Sequence, residues 1–336
     1  MQKNNTKWKE QLDFAKVILT FLIVLYHISA PFSNISFWGS AQIYLKNLGD
    51  TVVDAFALIS GFLFWYNIDT ISDVFQKMKR RIVTLLIPYL LWNIINSFIV
   101  IFFHNERTVS GILNAIINFN WIRGIFGYSS SPHLWYVFML IFWTIFSPLL
   151  FYVFKNKKLL IFFLLAQVVY MAYMNTNILH SRFIYMIFIW GGVLGYWKRD
   201  FFDHIPQSIL WAICSAIIFL GIPFACDLTD NMLIKCWLWF FRMLSFIILA
   251  FNIKPLPRSV KTLVPVMFWT YAIHYHLDVQ IVSKTFVLFT NPVIAHLVSY
   301  VCVLVIALGS GFGVKRILPK VFALLSGGRK AQTNTN

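Results

Sequence analysis

Ten stretches of nearly unbroken apolar sequence divide the chain, at about residues 12–32, 50–67, 82–103, 133–154, 159–175, 181–197, 206–224, 232–252, 262–283 and 293–315. A helix needs about 20 apolar residues to cross a hydrocarbon core of ~30 Å, and most of these runs reach or approach that length. Water does not enter the core, so each segment must satisfy its own backbone N–H and C=O groups, and runs of this length predict helices. The pattern predicts an all-α, polytopic integral membrane bundle of about ten transmembrane helices. Residues 1–325 are expected to form a single transmembrane domain, and the small polar stretch 326–336 a disordered cytoplasmic tail. The first run follows Lys3, Lys7 and Lys9 and contains Ser29 and Ala30, as a secretory signal would. Asp13 and Lys16 at its start, and Pro31 directly after Ala30, argue against cleavage.

Composition sharpens this picture by exclusion. The chain of 336 residues is 59% hydrophobic and 12% charged, about half the charged fraction of a soluble domain, so a water-soluble fold is excluded. The net charge of +16, from 28 Lys and Arg against 12 Asp and Glu, would raise the question of nucleic acid in a soluble protein. In a membrane protein the bases act as topological anchors, and no nucleic-acid partner is expected. Their distribution bears this out: 20 of the 28 fall in alternate loops, around Lys3 to Lys9, Lys77 to Arg81, Lys155 to Lys158, Lys198 and Arg199, Lys254 to Lys261, and Lys315 to Lys330. Only 6, namely Lys46, Arg107, Arg123, Arg182, Lys235 and Lys284, fall in the others. Both termini are therefore expected in the cytoplasm, with odd-numbered helices running outward. Cys214, Cys226, Cys236 and Cys302 show neither CxxC pairing nor metal-ligand spacing, and no metal is expected.

Ionisable side chains inside membrane helices cost a few kcal/mol and mark candidate functional positions. Lys16 and His27 are eleven residues apart, which returns them to nearly one helix face about 16 Å apart. In the predicted topology His27 and Asp54 lie at matching depth in the outer half of the bundle, and His274 and Asp278 share a face of the ninth helix there. His133 and Trp135 open the fourth helix from the outer side and Arg182 the sixth. These residues predict a polar cavity in the outer half, with Lys16 and the run Lys77-Met78-Lys79-Arg80-Arg81 on its cytoplasmic side. The basic run reads first as a topology anchor near anionic lipid and, on a sharper reading, as a phosphate clamp. Arg242, near the middle of the eighth helix, reads as an ion-pair strut or as a ligand for an anionic substrate. His276 and His296 are read as headgroup-region hydrogen-bonders or as part of the cavity.

These residues resemble the acyltransferase-3 family of bacterial integral membrane O-acyltransferases. Lys16, ten residues, then His27 is similar to its basic-x10-His signature, with Lys where Arg is common. Val53-Asp54-Ala55-Phe56-Ala57-Leu58-Ile59-Ser60-Gly61-Phe62 resembles its V-D-x-F-F-x-x-S-G-F segment, with Ala57 in place of one aromatic. Arg80 and Arg81 ahead of Pro88 are similar to the basic start of its third helix, although Thr84 stands where a second arginine of Arg-x-x-Arg would fall. His133-Leu134-Trp135-Tyr136 and Tyr271-Ala272-Ile273-His274 resemble its fourth-helix and late-helix segments.

The resemblance implies a stand-alone enzyme of the bacterial plasma membrane. It would transfer an acyl group, usually acetyl from cytoplasmic acetyl-CoA, to a hydroxyl of a cell-surface glycan or lipid-linked saccharide, with no resident cofactor. Such a transfer needs a base for the attacking hydroxyl and stabilisation of the oxyanion. His27 is expected as that base or as an acyl carrier, with Asp54 orienting its ring. Lys16, Lys77, Arg80 and Arg81 are expected to hold the donor's phosphates. Ser60, His133, Trp135, Arg182, Arg242, His274 and Asp278 are expected to line the acceptor cavity. The competing class is a proton-coupled transporter or flippase, since ten helices around buried charges describe a carrier as well.

Overall fold

The computed structural model describes residues 7–28, 37–103, 132–173, 179–253 and 258–328. Among them the structure is all-α. The helices are α1 (Lys7–His27), α2 (Phe37–Trp65), α3 (Ile71–Phe103), α4 (Trp135–Lys155), α5 (Lys157–Tyr173), α6 (Leu179–Trp197), α7 (Ile209–Asp227), α8 (Met232–Asn252), α9 (Met267–Leu288), α10 (Pro292–Ile317) and α11 (Pro319–Leu325). Each of the ten apolar runs falls on one of α1 to α10. Among the described residues four helices are long and apolar enough to cross a membrane, over Trp135–Lys155, Ile209–Cys226, Leu233–Asn252 and Val293–Ile317, and Val52–Trp65 and Phe183–Trp197 are shorter apolar helices.

Helix boundaries follow capping chemistry rather than hydropathy. α3 begins well before its apolar run because Thr70 and Asp73 form a reciprocal capping box. The Thr70 N–H donates to the Asp73 carboxylate at 2.8 Å, and the Asp73 N–H to Thr70 Oγ1 at 3.2 Å. The basic residues Lys77 to Arg81, expected in a loop, are therefore helical. Asn231 caps α8, and Asn291, followed by Pro292, caps α10, each side chain accepting two backbone N–H groups.

The helices group into two compact units. The first holds α1 as far as Tyr26, α2, the last turns of α4 from Ser147, and α5 to α8. Its centre is the pairing of α2 with α6, two backbones brought together by glycines. A Cβ added to Gly61 would run into the Phe188 carbonyl, and one added to Gly191 or Gly195 into the Leu58 or Phe62 carbonyl. Gly191 and Gly195 are a turn apart, the small-xxx-small spacing that permits close helix contact in a membrane. At one end of this unit an aromatic cluster joins α1 to α2 and α8: Trp8 and Phe62 meet edge to face at 5.9 Å, and Phe202 stacks on both Trp8 and Phe251. Arg199 ties the same end by donating to the Ile68 carbonyl and the Asp69 carboxylate at 3.0 and 2.5 Å.

The second unit holds His27, α3 from Gln76, α4 as far as Phe146, and α9 to α11. α9 and α10 form an antiparallel hairpin pinned by hydroxyl contacts, Thr285 to Ser299 at 2.5 Å and Trp269 Nε1–H to Ser310 Oγ at 3.0 Å. α11 docks on α3, where the Trp92 indole N–H donates to the Leu325 carbonyl at 3.0 Å and Trp269 stacks on Phe322. Gly327 follows at φ +75°, and a Cβ there would collide with the Thr84 carbonyl. That carbonyl is the one Pro88 leaves without a helical N–H partner. Ser326, expected to open a polar tail, is instead a buried residue at the C-cap of α11.

Candidate active site

Three histidines of the second unit come together on α9. The Tyr271 hydroxyl donates to the His133 backbone carbonyl, fixing the short 3-10 turn Pro132–Leu134 that precedes α4. His133 Nε2 lies 3.0 Å from the Ala272 carbonyl, and His274 Nδ1 lies 2.6 Å from the Tyr271 carbonyl. A carbonyl only accepts, so each of these nitrogens carries the proton. The other nitrogen of each ring, His133 Nδ1 and His274 Nε2, is then a bare lone pair. Both are buried without a hydrogen-bond partner among the described residues.

His27, the last residue of α1, completes the group. Its ring centroid is 5.1 Å from that of His274 and 5.6 Å from Tyr275, which it meets edge to face. Tyr275 stacks on His133 at 5.2 Å, and His133 lies 5.3 Å from His274. His276 reaches the opposite side of His133 at 6.1 Å. Among the described residues no three His, Cys, Asp or Glu side chains are grouped to hold a metal ion. Asp278, four residues beyond His274, is 3% exposed, and neither carboxylate oxygen has a hydrogen-bond partner among the described residues. Of the residues expected in the site, His27, His133, His274 and Asp278 thus belong to one unit, and Trp135 starts α4 beside His133, half-buried.

The basic run belongs to this unit too. Lys77 and Arg81 are one turn apart and half-buried, whereas Lys79 and Arg80 are exposed. The helix therefore sorts the run into a Lys77–Arg81 face and a solvent-facing pair, which the sequence frames left open.

The remaining expected residues lie in the first unit. Asp54 is fully buried on α2. Ser60 is half-buried directly before Gly61 of the close α2–α6 contact. Lys16 forms an ion pair at 2.8 Å with Asp13, one turn earlier on α1. Arg242 is 1% exposed, donates from Nε to the Phe219 carbonyl at 3.1 Å, and places its guanidinium 5.0 Å from the Phe219 ring. Arg182 lies on the first turns of α6, and its side chain lies outside the described residues, as do Arg107 and Arg123. Tyr271 and Tyr275 have no role assigned from sequence, and His276 is read there as a headgroup-region hydrogen-bonder or as part of the cavity. The Tyr271 to His274 spacing signalled the segment, but which rings meet depends on how α9 rotates against α1 and α4.

A helical membrane protein with a buried histidine cluster and a basic helix end is the class these features define. A family model described as an acyltransferase domain matches residues 9–314, and the chain belongs to the acyltransferase-3 family. It is accordingly an acyltransferase with an acyl donor and an acceptor, which sets the carrier reading aside. No curated protein and no solved structure matches it.

Proposed function

We propose that this protein is a membrane O-acetyltransferase, taking acetyl from cytoplasmic acetyl-CoA to a hydroxyl of a cell-surface glycan or lipid-linked saccharide. It spans the bacterial plasma membrane about ten times, with both termini in the cytoplasm. The observation that carries this reading is the contact of His27 with the buried His274–His133 pair in the unit that also bears the basic Lys77–Arg81 face.

Lys77 and Arg81, with Arg80, hold the phosphates of the donor by charge-assisted hydrogen bonds. His27 accepts the proton of the attacking hydroxyl as oxygen bonds to the thioester carbon. The carbon–sulfur bond then breaks, and the proton passes from His27 to the departing thiolate, giving an ester and a free thiol. Direct acyl capture by His27 followed by transfer uses the same residues. His133, Trp135, His274 and Asp278, of the same unit as His27, belong to the acceptor side.

Purified protein incubated with acetyl-CoA should release thiol, and surface glycans from cells with and without it should differ by acetyl groups in mass spectrometry. A chain that binds acetyl-CoA yet neither hydrolyses nor transfers it refutes the reading.

A further inference from the structure

Resting on that reading, we propose that His274 is the positioning residue of His27, the neutral acceptor that fixes which nitrogen of the catalytic ring faces the hydroxyl. Three observations carry it. The first is a fixed tautomer: with Nδ1–H committed to the Tyr271 carbonyl at 2.6 Å, His274 can offer only a lone pair at Nε2. The second is that this lone pair is unfilled. His274 is fully buried, and Nε2 has no hydrogen-bond partner among the described residues. A buried acceptor without a donor is costly, so a donor brought within reach of this atom is favoured. The third is proximity. Two imidazoles joined edge to edge by an N–H···N bond of about 2.9 Å have centroids about 5 Å apart, and those of His27 and His274 are 5.1 Å apart at a 48° tilt. The two rings thus stand at the separation of a hydrogen-bonded imidazole pair.

With the bond closed, His27 donates one ring N–H to His274 Nε2. Its other nitrogen is then the lone pair that takes the hydroxyl proton. When His27 becomes an imidazolium it keeps that N–H, and the donor to His274 becomes charged, so the bond strengthens as the transition state is approached. His274 gains and loses no proton. Its part resembles that of the third group in a nucleophile–base–orienter triad, played here by a neutral ring.

Two substitutions at position 274 separate this role from a structural one. In His274→Gln the side-chain oxygen falls where Nε2 was, and in His274→Asn the amide falls where Nδ1 was. The proposal expects His274→Gln to keep acetyl-CoA thiol release within a few-fold of the parent. It expects His274→Asn to lose about tenfold or more in kcat with KM for acetyl-CoA unchanged, part of what a general base supplies. In a His27→Gln background the change from His274 to Asn should make no further difference. Equal loss in both variants, or rescue by Asn rather than Gln, overturns the proposal and leaves His274 as a tie to Tyr271. Thiol release by His27→Gln at the parental rate instead defeats the His27 assignment itself, so the two failures are told apart.

Discussion

Arg242 donates its Nε–H to the carbonyl oxygen of Phe219 at 3.1 Å, and that carbonyl is the one Pro223, four residues on within α7, leaves without its helical N–H. A buried cation read from sequence as a strut or a ligand is, in its described contact, the replacement partner of a proline-freed carbonyl, held also over the ring of Phe219. Arg242→Met should lower stability by about 2 kcal/mol, the scale of a hydrogen bond to a charged group. It should do so with acetyl-CoA affinity unchanged. Restoring the N–H with Pro223→Ala should make the second change milder. Thermal denaturation of the single and double variants checks this, and a loss of donor affinity in Arg242→Met would return the residue to the substrate.

The contact of Gly61 with the Phe188 carbonyl predicts an intolerant position. Gly61→Ala places a methyl group against backbone, which cannot swing aside as a side chain can, and overpacking of this kind costs about 1–3 kcal/mol. Ser60→Ala, one residue away and half-buried, should cost much less. Comparing the melting temperatures of the two variants measures the difference.

Sorting of the basic run by helix face gives a graded expectation for donor binding. Replacing Lys77 and Arg81 together by Ala should weaken acetyl-CoA binding more than replacing Lys79 and Arg80, because only the first pair shares a half-buried face. Exposed charges contribute little to stability, so the Lys79 and Arg80 variant should remain folded, and a melting curve of the Lys77 and Arg81 variant separates lost binding from lost fold. Equal, undiminished affinity in titration calorimetry would make the whole run a topology anchor.

His27→Ala should reduce turnover by at least about 100-fold, the usual loss for a general base, with abundance and donor affinity nearly unchanged. Asp54→Asn should cost less, and should add little in the His27→Ala background if the two act as one unit. Full additivity in thiol-release rates would separate Asp54 from the chemistry.

Topology is open to direct measurement. Single cysteines at Arg107 and Lys284 should react with an impermeant reagent from outside, and those at Lys157 and Arg258 only from within. One reversed position would refute the ten-span reading.

The all-α class was legible in the sequence because lipid forces each spanning segment to satisfy its backbone internally, so length and apolarity of a run suffice to mark a helix. The early start of α3 was legible too, in Thr70 and Asp73, but only to capping chemistry, since hydropathy registers the polar turns after Ile71 as loop. The glycines at 61, 191 and 195 were visible as letters, yet their partners were set by the approach of α2 to α6. The same holds for the site. Sequence spacing placed His274 and Asp278 a turn apart on one helix, and the family signature singled out His27. That His27 meets His274 and Tyr275, and that Tyr271 and Ala272 carbonyls choose the tautomers of two histidines, follows from the rotation and register of α1, α4 and α9. Those are fixed by side-chain packing between segments more than a hundred residues apart, which no local pattern encodes.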